Sequence, residues 1–343
     1  MEYSFRDAPF RVYGMPYFDE DGTSKRLKKE MAEKMFFGVR DWGLDVRSPG
    51  ARVAFRTDSA SIRVTIEMAT ISPDVGISLY GAQSGNLYIG RGENARYAGL
   101  IVPRKCYEEP VAEGSFTKQP VMEDIMIFLP RNEAVKEVTI SLDDGAKVEA
   151  PTPYRYPDPV IFYGSSITEG ASVCKTANAY SSLLSRALDF DFINYGLSGS
   201  GLGELFVADH LAALKKSVFV MDYDYNAPDE AHLRKTHEPF FLRMREKNPD
   251  VPIILITGPR TEPDLPWVRE RVEIIRTTYE NALKRGDDRV YFIEGAYFWG
   301  DTPWERYNCT ADNIHPNDLG MHRMAEAIRP TLEKALKQAY GEK

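Results

Sequence analysis

Cysteine is scarce in this chain of 343 residues. Cys106, Cys174 and Cys309 are odd in number and far apart, which argues against a disulfide framework and indicates a reducing compartment. Basic residues are also outnumbered, 43 against 51 acidic ones, so the formal net charge is -8. No basic block follows the pattern that tracks a phosphate backbone, and nucleic acid is not an expected partner.

Long apolar runs are missing as well. No window approaches the length needed to span a bilayer, so we expect no membrane partner. The first 22 residues carry charges and prolines where a secretory signal needs an unbroken apolar core. The expected location is therefore cytoplasmic.

Three familiar catalytic motifs are absent. G-x-S-x-G does not occur, which removes the α/β-hydrolase elbow. His237 begins H-E-P-F-F and not H-E-x-x-H, and the glycines at 199–203 fail G-x-G-x-x-G. Asp222 and Asp224 stand at i and i+2 without a nearby histidine pair, which is a weak metal signal. We expect neither a metal ion nor another cofactor.

The first part of the chain is predicted to be all β. From about Gly38 to Leu142, short segments alternate apolar with polar residues between turn-forming residues, which is typical of a β-sandwich or jelly roll. The predicted strands are ARVAFRTD, SIRVTIEMA, GISLYG, GNLYIGR, EDIMIFLP and KEVTISLDD. Residues 24–37 favour a helix by propensity, but their charge indicates a surface segment or an irregular entry strand.

A proline-rich stretch at 145–159 divides the chain, so we predict domains at 1–150 and 151–343. Beyond it, apolar strands alternate with amphipathic helices, which predicts an α/β domain with a parallel sheet and helices on both faces. The predicted strands are PVIFYG, DFINYG, SVFVMDYD, VPIILITGP and RVYFIEG, and the predicted helices lie at 178–189, 203–216, 231–248, 265–286 and 317–340. Ligands of such sheets bind beyond the carboxyl ends of the strands.

The first of these strands runs into Gly164, Ser165, Ser166, Ile167 and Thr168. A serine at a strand-to-helix turn places its hydroxyl in the crevice, where backbone N–H groups can meet an oxyanion. Helix capping by Ser165, Ser166 or Thr168 is the simpler interpretation of the same residues.

Polar residues follow later strands too. The second strand ends in a glycine-rich loop at 194–204, where free N–H groups can face a ligand, and the third leads to Asn226. His315 follows Asp312 by three residues just before the last helix. A turn can place that carboxylate on one imidazole nitrogen while the other nitrogen faces outward, as in a catalytic base.

Taken in order, these blocks resemble the SGNH (GDSL-like) hydrolase family over roughly Pro159 to the C-terminus. The resemblance places the nucleophile at Ser166, oxyanion-hole groups at Ser166, Gly199 and Asn226, and the D-x-x-H block at Asp312 and His315. It implies a flavodoxin-like three-layer domain.

Two departures mark the motifs. Ser165 stands where the family usually has aspartate, and Asn226 is shifted one residue along its loop. With GISLYGAQSGNLYIG, INYGLSGSG and HPNDLGMHRMAEAI, the chain looks like the subfamily that has an N-terminal jelly-roll domain. Those two-domain members are mostly carbohydrate esterases or uncharacterised proteins.

The expected function is a serine esterase that removes O-acetyl groups from hemicellulose-type oligosaccharides. Trp299 and Trp304 could stack on sugar rings, although packing under a loop explains either one singly. An acyltransferase or short-chain esterase acting on a small natural product is the alternative. A catalytically silent carbohydrate-binding protein is the second.

Overall fold

The structure, a computed structural model, describes residues 1–18, 22–35, 39, 42–74 and 76–342. Its strands in chain order are β1 Glu2–Ser4, β2 Arg11–Tyr13, β3 Tyr17–Phe18, β4 Ser24–Lys25, β5 Arg52–Thr57, β6 Ser61–Met68, β7 Gly85–Ile89, β8 Arg96–Pro103, β9 Val111–Thr117, β10 Glu123–Phe128, β11 Val135–Leu142, β12 Val148–Glu149, β13 Tyr156–Gly164, β14 Phe190–Gly196, β15 Val218–Asp222, β16 Ile253–Ile256 and β17 Val290–Ile293. Its helices are α1 Lys29–Ala32, α2 Leu79–Gln83, α3 Ser166–Glu169, α4 Tyr180–Leu188, α5 Leu205–Ala213, α6 Glu230–Lys247, α7 Pro266–Lys284, α8 Pro303–Asn308 and α9 Asp318–Tyr340.

The N-terminal part is a curled antiparallel sheet of ten strands. Its order is β1-β11-β6-β9-β8-β7-β10-β5-β12, with β2 added on β5. Alternation decides which face is buried: Ile62, Val64 and Ile66 of β6 point into the core, and the residues between them point outward. The two halves of the curl therefore enclose one apolar core, as a β-sandwich does.

Five of the six predicted strands are confirmed, and GISLYG is wrong. That segment forms α2, because Ser78 accepts a hydrogen bond from the Gly81 N–H at 3.0 Å and caps a helix there. Strands β8 and β9 were not predicted from the sequence. Of the segment 24–37, the described residues form β4 and α1, while 36 and 37, like Gly38 at the start of the predicted β region, lie outside the described residues.

The C-terminal part is the predicted flavodoxin-like α/β domain. Its parallel sheet has the order β14-β13-β15-β16-β17, so the first strand is central. Helices α4 and α9 pack on one face, and α5, α6 and α7 on the other. All five strands and all five helices predicted for this half are present. The domain boundary after residue 150 stays a prediction.

In the part of the chain that the structure describes, every helix is too short or too polar to cross a membrane.

A buried carboxylate ties the central strands to the helix at the end of β13. Asp222 Oδ2 accepts hydrogen bonds from Thr168 Oγ1 at 3.0 Å and from the Tyr180 hydroxyl at 2.9 Å. Burial and the nearby Asp224 carboxylate raise the pKa of Asp222 to about 7, against smaller opposing effects of its hydrogen bonds and of Arg260. Asp222 thus holds its proton in the folded chain up to near-neutral pH.

This raised pKa predicts a stability that falls with pH. The unfolded chain releases the proton near pH 4, so the stabilisation is complete below that pH and is lost as the pH rises through about 7. The loss should reach about 1.4 kcal/mol per pH unit within that window. Asp222→Asn keeps an oxygen acceptor but has no proton to release, so its free energy of unfolding should change less between pH 5 and pH 8 than that of the wild type. Urea unfolding at the two pH values measures both. Asp250→Asn, at an exposed carboxylate, is the control and should follow the wild type; parallel curves for D222N and wild type would contradict the assignment.

Candidate active site

Ser166 is the first residue of α3, at the carboxyl end of the central strand β13. The capping role falls to its neighbour: Ser165 Oγ accepts from the Ile167 N–H at 3.1 Å, and Thr168 Oγ1 accepts from the Ser165 N–H at 3.2 Å. Gly164 is required before them, since a Cβ there would lie 2.0 Å from Thr168 Oγ1. The Ser166 hydroxyl is therefore free of the cap.

The three predicted triad residues lie together. Ser166 Oγ is 2.9 Å from His315 Nε2, and His315 Nδ1 is 2.6 Å from Asp312 Oδ2. Because Nδ1–H donates to the carboxylate, the imidazole is held in the tautomer whose Nε2 accepts the serine proton.

The carboxylate of Asp312 is held ionised although it is partly buried. Burial raises the pKa of Asp312. Hydrogen bonds from the His315 N–H at 2.7 Å, the His315 ring and the Ile314 N–H together outweigh burial, so the net shift of the Asp312 pKa is downward. A charged carboxylate at this place stabilises an imidazolium at His315.

The loops after β14 and β15, which carry the predicted oxyanion residues, lie close to the turn that precedes Ser166, since the Leu197 N–H donates to Gly164 O at 2.9 Å. Gly199 adopts φ +66°, a backbone conformation that glycine reaches without strain. Asn226 Oδ1 accepts from the Gly201 N–H at 3.1 Å, which fastens the two loops to each other. Among the described residues Asn226 Nδ2 has no hydrogen-bond partner, so it remains available as a donor.

Asp222, the last residue of β15, and Asp224, two residues later, both have protein partners in place of a metal ion. Asp224 pairs with Arg260 at 3.0 Å and accepts from the Gly258 N–H at 3.1 Å, while Asp222 binds Thr168 and Tyr180. No group of three or more His, Cys, Asp or Glu side chains within the described ranges could hold a metal.

The two predicted stacking tryptophans differ in their surroundings. Trp299 is 0% exposed and packs in the core between the sheet and α9, so the expectation that it stacks on substrate is wrong. Trp304 is 79% exposed on the short helix α8. Only the second can offer a ring face to a ligand.

A cavity of about 370 Å³ lies at the loops that carry Asn226, Asp312 and His315. Chain neighbours of site residues line it: Tyr225 and Ala227 flank Asn226, while Asn313 and Ile314 lie between Asp312 and His315. The opposite wall contains Arg260, Glu262, Leu265 and Trp267. Its volume falls within the range of small-molecule sites.

Sequence reasoning missed this opposite wall. Arg260 follows β16, so it lies at the carboxyl end of a strand, where ligands of such sheets bind. Its buried guanidinium lies 3.5 Å from the centroid of the Tyr225 ring, and this contact arises only in the folded chain. Trp267 is the second residue of α7, directly after Pro266, and Trp304 has the same position after Pro303 in α8. The repeated Pro-Trp helix start is a signal that could have pointed to it.

Family models match both parts of the chain. Residues 157–333, more than half of the chain, match the GDSL-like lipase/acylhydrolase family. Residues 3–148 match the N-terminal domain of SGNH-hydrolase-type esterases. No curated protein matches the chain significantly.

Solved structures agree over nearly the whole length. A candidate GDSL-like lipase from Bacteroides ovatus is 25% identical, with a TM-score of 0.84 and 98% of both chains covered. A salicylyl acyltransferase of a tetracycline pathway is 22% identical, with a TM-score of 0.79 and 97% of both covered. A family two carbohydrate esterase from Cellvibrio japonicus is 14% identical, with a TM-score of 0.65 and 98% of both covered. With its two family-model matches and the Ser166–His315–Asp312 arrangement, the chain belongs to the GDSL-like (SGNH) lipase/acylhydrolase family.

Proposed function

We propose that this protein is a serine esterase that removes O-acetyl groups from acetylated oligosaccharides through an acyl-enzyme on Ser166. The observation that carries the chemistry is the continuous hydrogen-bonded line from Ser166 Oγ through His315 to Asp312. A hydroxyl on a correctly held imidazole is the arrangement that activates serine for attack on a carbonyl.

The reaction has two halves. His315 Nε2 takes the Ser166 proton as Oγ attacks the ester carbonyl, and the negative oxygen is met by the N–H groups of Ser166 and Gly199 and by Asn226 Nδ2. His315 then gives the proton to the leaving alcohol oxygen, which frees the alcohol and leaves acetyl on Ser166. Water, deprotonated by His315, releases acetate and restores the serine.

The cavity supports a bulky alcohol. Because His315 must protonate the leaving oxygen, the alcohol part of the ester is expected on the His315 side, and Asn313 and Ile314, which precede His315 in the chain, line the cavity. An acetyl group needs little of a 370 Å³ space, so the room serves the alcohol.

The lining suits a sugar ring. Trp267, 43% exposed, offers an apolar ring face on which the C–H face of a pyranose can pack. Arg260 and Glu262 provide polar groups for its hydroxyls. Carbohydrate esterases are among the structural neighbours, which is consistent with this substrate class.

Ser166→Ala should lower kcat/KM for an aryl acetate by about 10⁴-fold or more, because the acyl-enzyme can no longer form. Initial rates and labelling by a serine-directed phosphonate measure this. Ser165→Ala is the matched control: losing the cap costs about 1 kcal/mol of stability, but the variant should still be labelled. Wild-type hydrolysis by S166A would refute the esterase assignment.

Trp267→Ala should lower kcat/KM for acetylated xylo- or manno-oligosaccharides about tenfold, because a stacked ring loses its partner. Ethyl acetate, whose alcohol is too small to reach Trp267, should be hydrolysed at the wild-type rate. Acetate release gives both values, and transfer to an alcohol would appear as new ester in place of acetate.

Trp304→Ala is the control for this variant, since both tryptophans are exposed second residues of helices that begin with proline. A lower kcat/KM for the acetylated oligosaccharides in W304A but not in W267A would indicate that the sugar binds at α8. No acetate from any glycan, with aryl esters still cleaved, would exclude the carbohydrate substrate and leave the esterase intact.

A further inference from the structure

The helix that begins with Ser166 ends in a fully buried carboxylate. Glu169 is 1% exposed, and its Oε2 accepts hydrogen bonds from the N–H of Ser198 at 3.2 Å and from the Ser198 hydroxyl. Ser198 directly precedes Gly199, the predicted oxyanion glycine. One side chain therefore joins the nucleophile helix to the oxyanion loop.

Three arginines surround the other oxygen of that carboxylate. Glu169 Oε1 lies 3.5 Å from Arg131 Nη2, 3.8 Å from Arg47 Nη1 and 3.9 Å from Arg26 Nη2. All three arginines are buried, and all belong to the segment that matches the N-terminal family model. Side chains of the N-terminal part of the chain thus reach the end of the nucleophile helix in the other domain.

Arg26 also holds the strand that leads into the oxyanion loop. Its Nη1 donates to the carbonyls of Asn194 at 2.9 Å and Gly196 at 2.8 Å, both in the last three residues of β14. Its Nη2 donates to Leu44 O at 2.5 Å. Gly196 packs tightly here, since a Cβ would lie 2.1 Å from the Glu169 N. Strand end, loop and nucleophile helix meet at this cluster.

The cluster keeps Glu169 charged in spite of its burial. Burial raises the pKa of Glu169, but Arg131, Arg47, Arg26 and the Ser198 hydroxyl outweigh it and lower the pKa to about 2. A buried carboxylate with three buried guanidinium groups is held in one geometry, because leaving any of these charges unpaired is costly.

We propose that Glu169 is a positioning residue that sets the oxyanion hole from the N-terminal domain. The Gly199 N–H lies in the peptide plane that begins at the Ser198 Cα, so holding Ser198 through its own N–H and its hydroxyl restricts the direction of that N–H. Arg26, Arg47 and Arg131 hold Glu169 in turn. This role rests on the esterase function proposed above and gives the N-terminal part of the chain a role in positioning the catalytic groups.

Ser198→Ala tests the role with little risk to folding, because it removes one hydroxyl and keeps the backbone bond to Glu169. We expect kcat for an aryl acetate to fall roughly tenfold at unchanged KM, less than the 10²- to 10³-fold cost of losing a whole oxyanion donor. Ser200→Ala is the matched control, since Ser200 lies in the same loop, is buried, and its Oγ has no hydrogen-bond partner among the described residues.

Inhibition by a boronic acid separates positioning from general damage. The boronate forms a tetrahedral adduct on Ser166 that occupies the oxyanion hole, so its affinity should fall by the same factor as kcat in S198A and not in S200A. Equal behaviour of S198A and S200A would overturn the proposal. So would a loss of kcat with unchanged boronate affinity.

Glu169→Gln is the second variant. It keeps an oxygen for Ser198 but leaves three buried arginines without a carboxylate, so we expect a lower urea midpoint and, in the folded fraction, the same parallel loss of kcat and boronate affinity. A folded E169Q with wild-type values of both would overturn the role of its charge. Failure of the esterase function itself would be recognised separately, as wild-type protein that binds no boronate.

Discussion

The contact between Ser166 Oγ and His315 Nε2 joins residues 149 positions apart, and it depends on the topology of the C-terminal domain. The nucleophile follows the central strand β13, whose neighbours β14 and β15 lie on opposite sides. Loops after these two strands therefore lie on either side of β13, and the loop that precedes α9 brings His315 to Ser166. The strand order 2-1-3-4-5 creates this meeting point, as in other doubly wound sheets.

Two sets of contacts hold the turn that carries the nucleophile, one to the sheet and one to the N-terminal part of the chain. Thr168 connects α3 to the sheet through its hydrogen bond to Asp222, whose carboxyl stays protonated below about pH 7. The next residue, Glu169, connects α3 to the arginines of the other domain through charge. Two different interactions thus hold the last turn of a four-residue helix, which has too few backbone hydrogen bonds to fix itself.

The fold and much of the site could be predicted because their signals are local. Strand ends, glycine loops and the Asp312-x-x-His315 spacing all lie within a few residues of sequence, and the structure places these residues together. The partners of Glu169 could not be predicted, since Arg26, Arg47 and Arg131 reach it only through the packing of two domains. Trp299 and Trp304 stand five residues apart in one polar segment, and only the packing of α9 against Trp299 makes one buried and the other exposed.

Ser165 shows how a cap and a nucleophile share one turn. Ser165 Oγ is the cap that accepts from the Ile167 N–H. The hydroxyl of Ser166, one residue later, is therefore not used in capping and contacts His315. The resembling motif usually carries aspartate at this place, and serine and aspartate are both strong helix caps, so the cap itself survives the exchange. The difference is charge: Ser165 leaves this turn neutral. The ionised carboxylate of the nucleophile helix is Glu169 at its other end, where it lies near three arginines and binds the loop through Ser198.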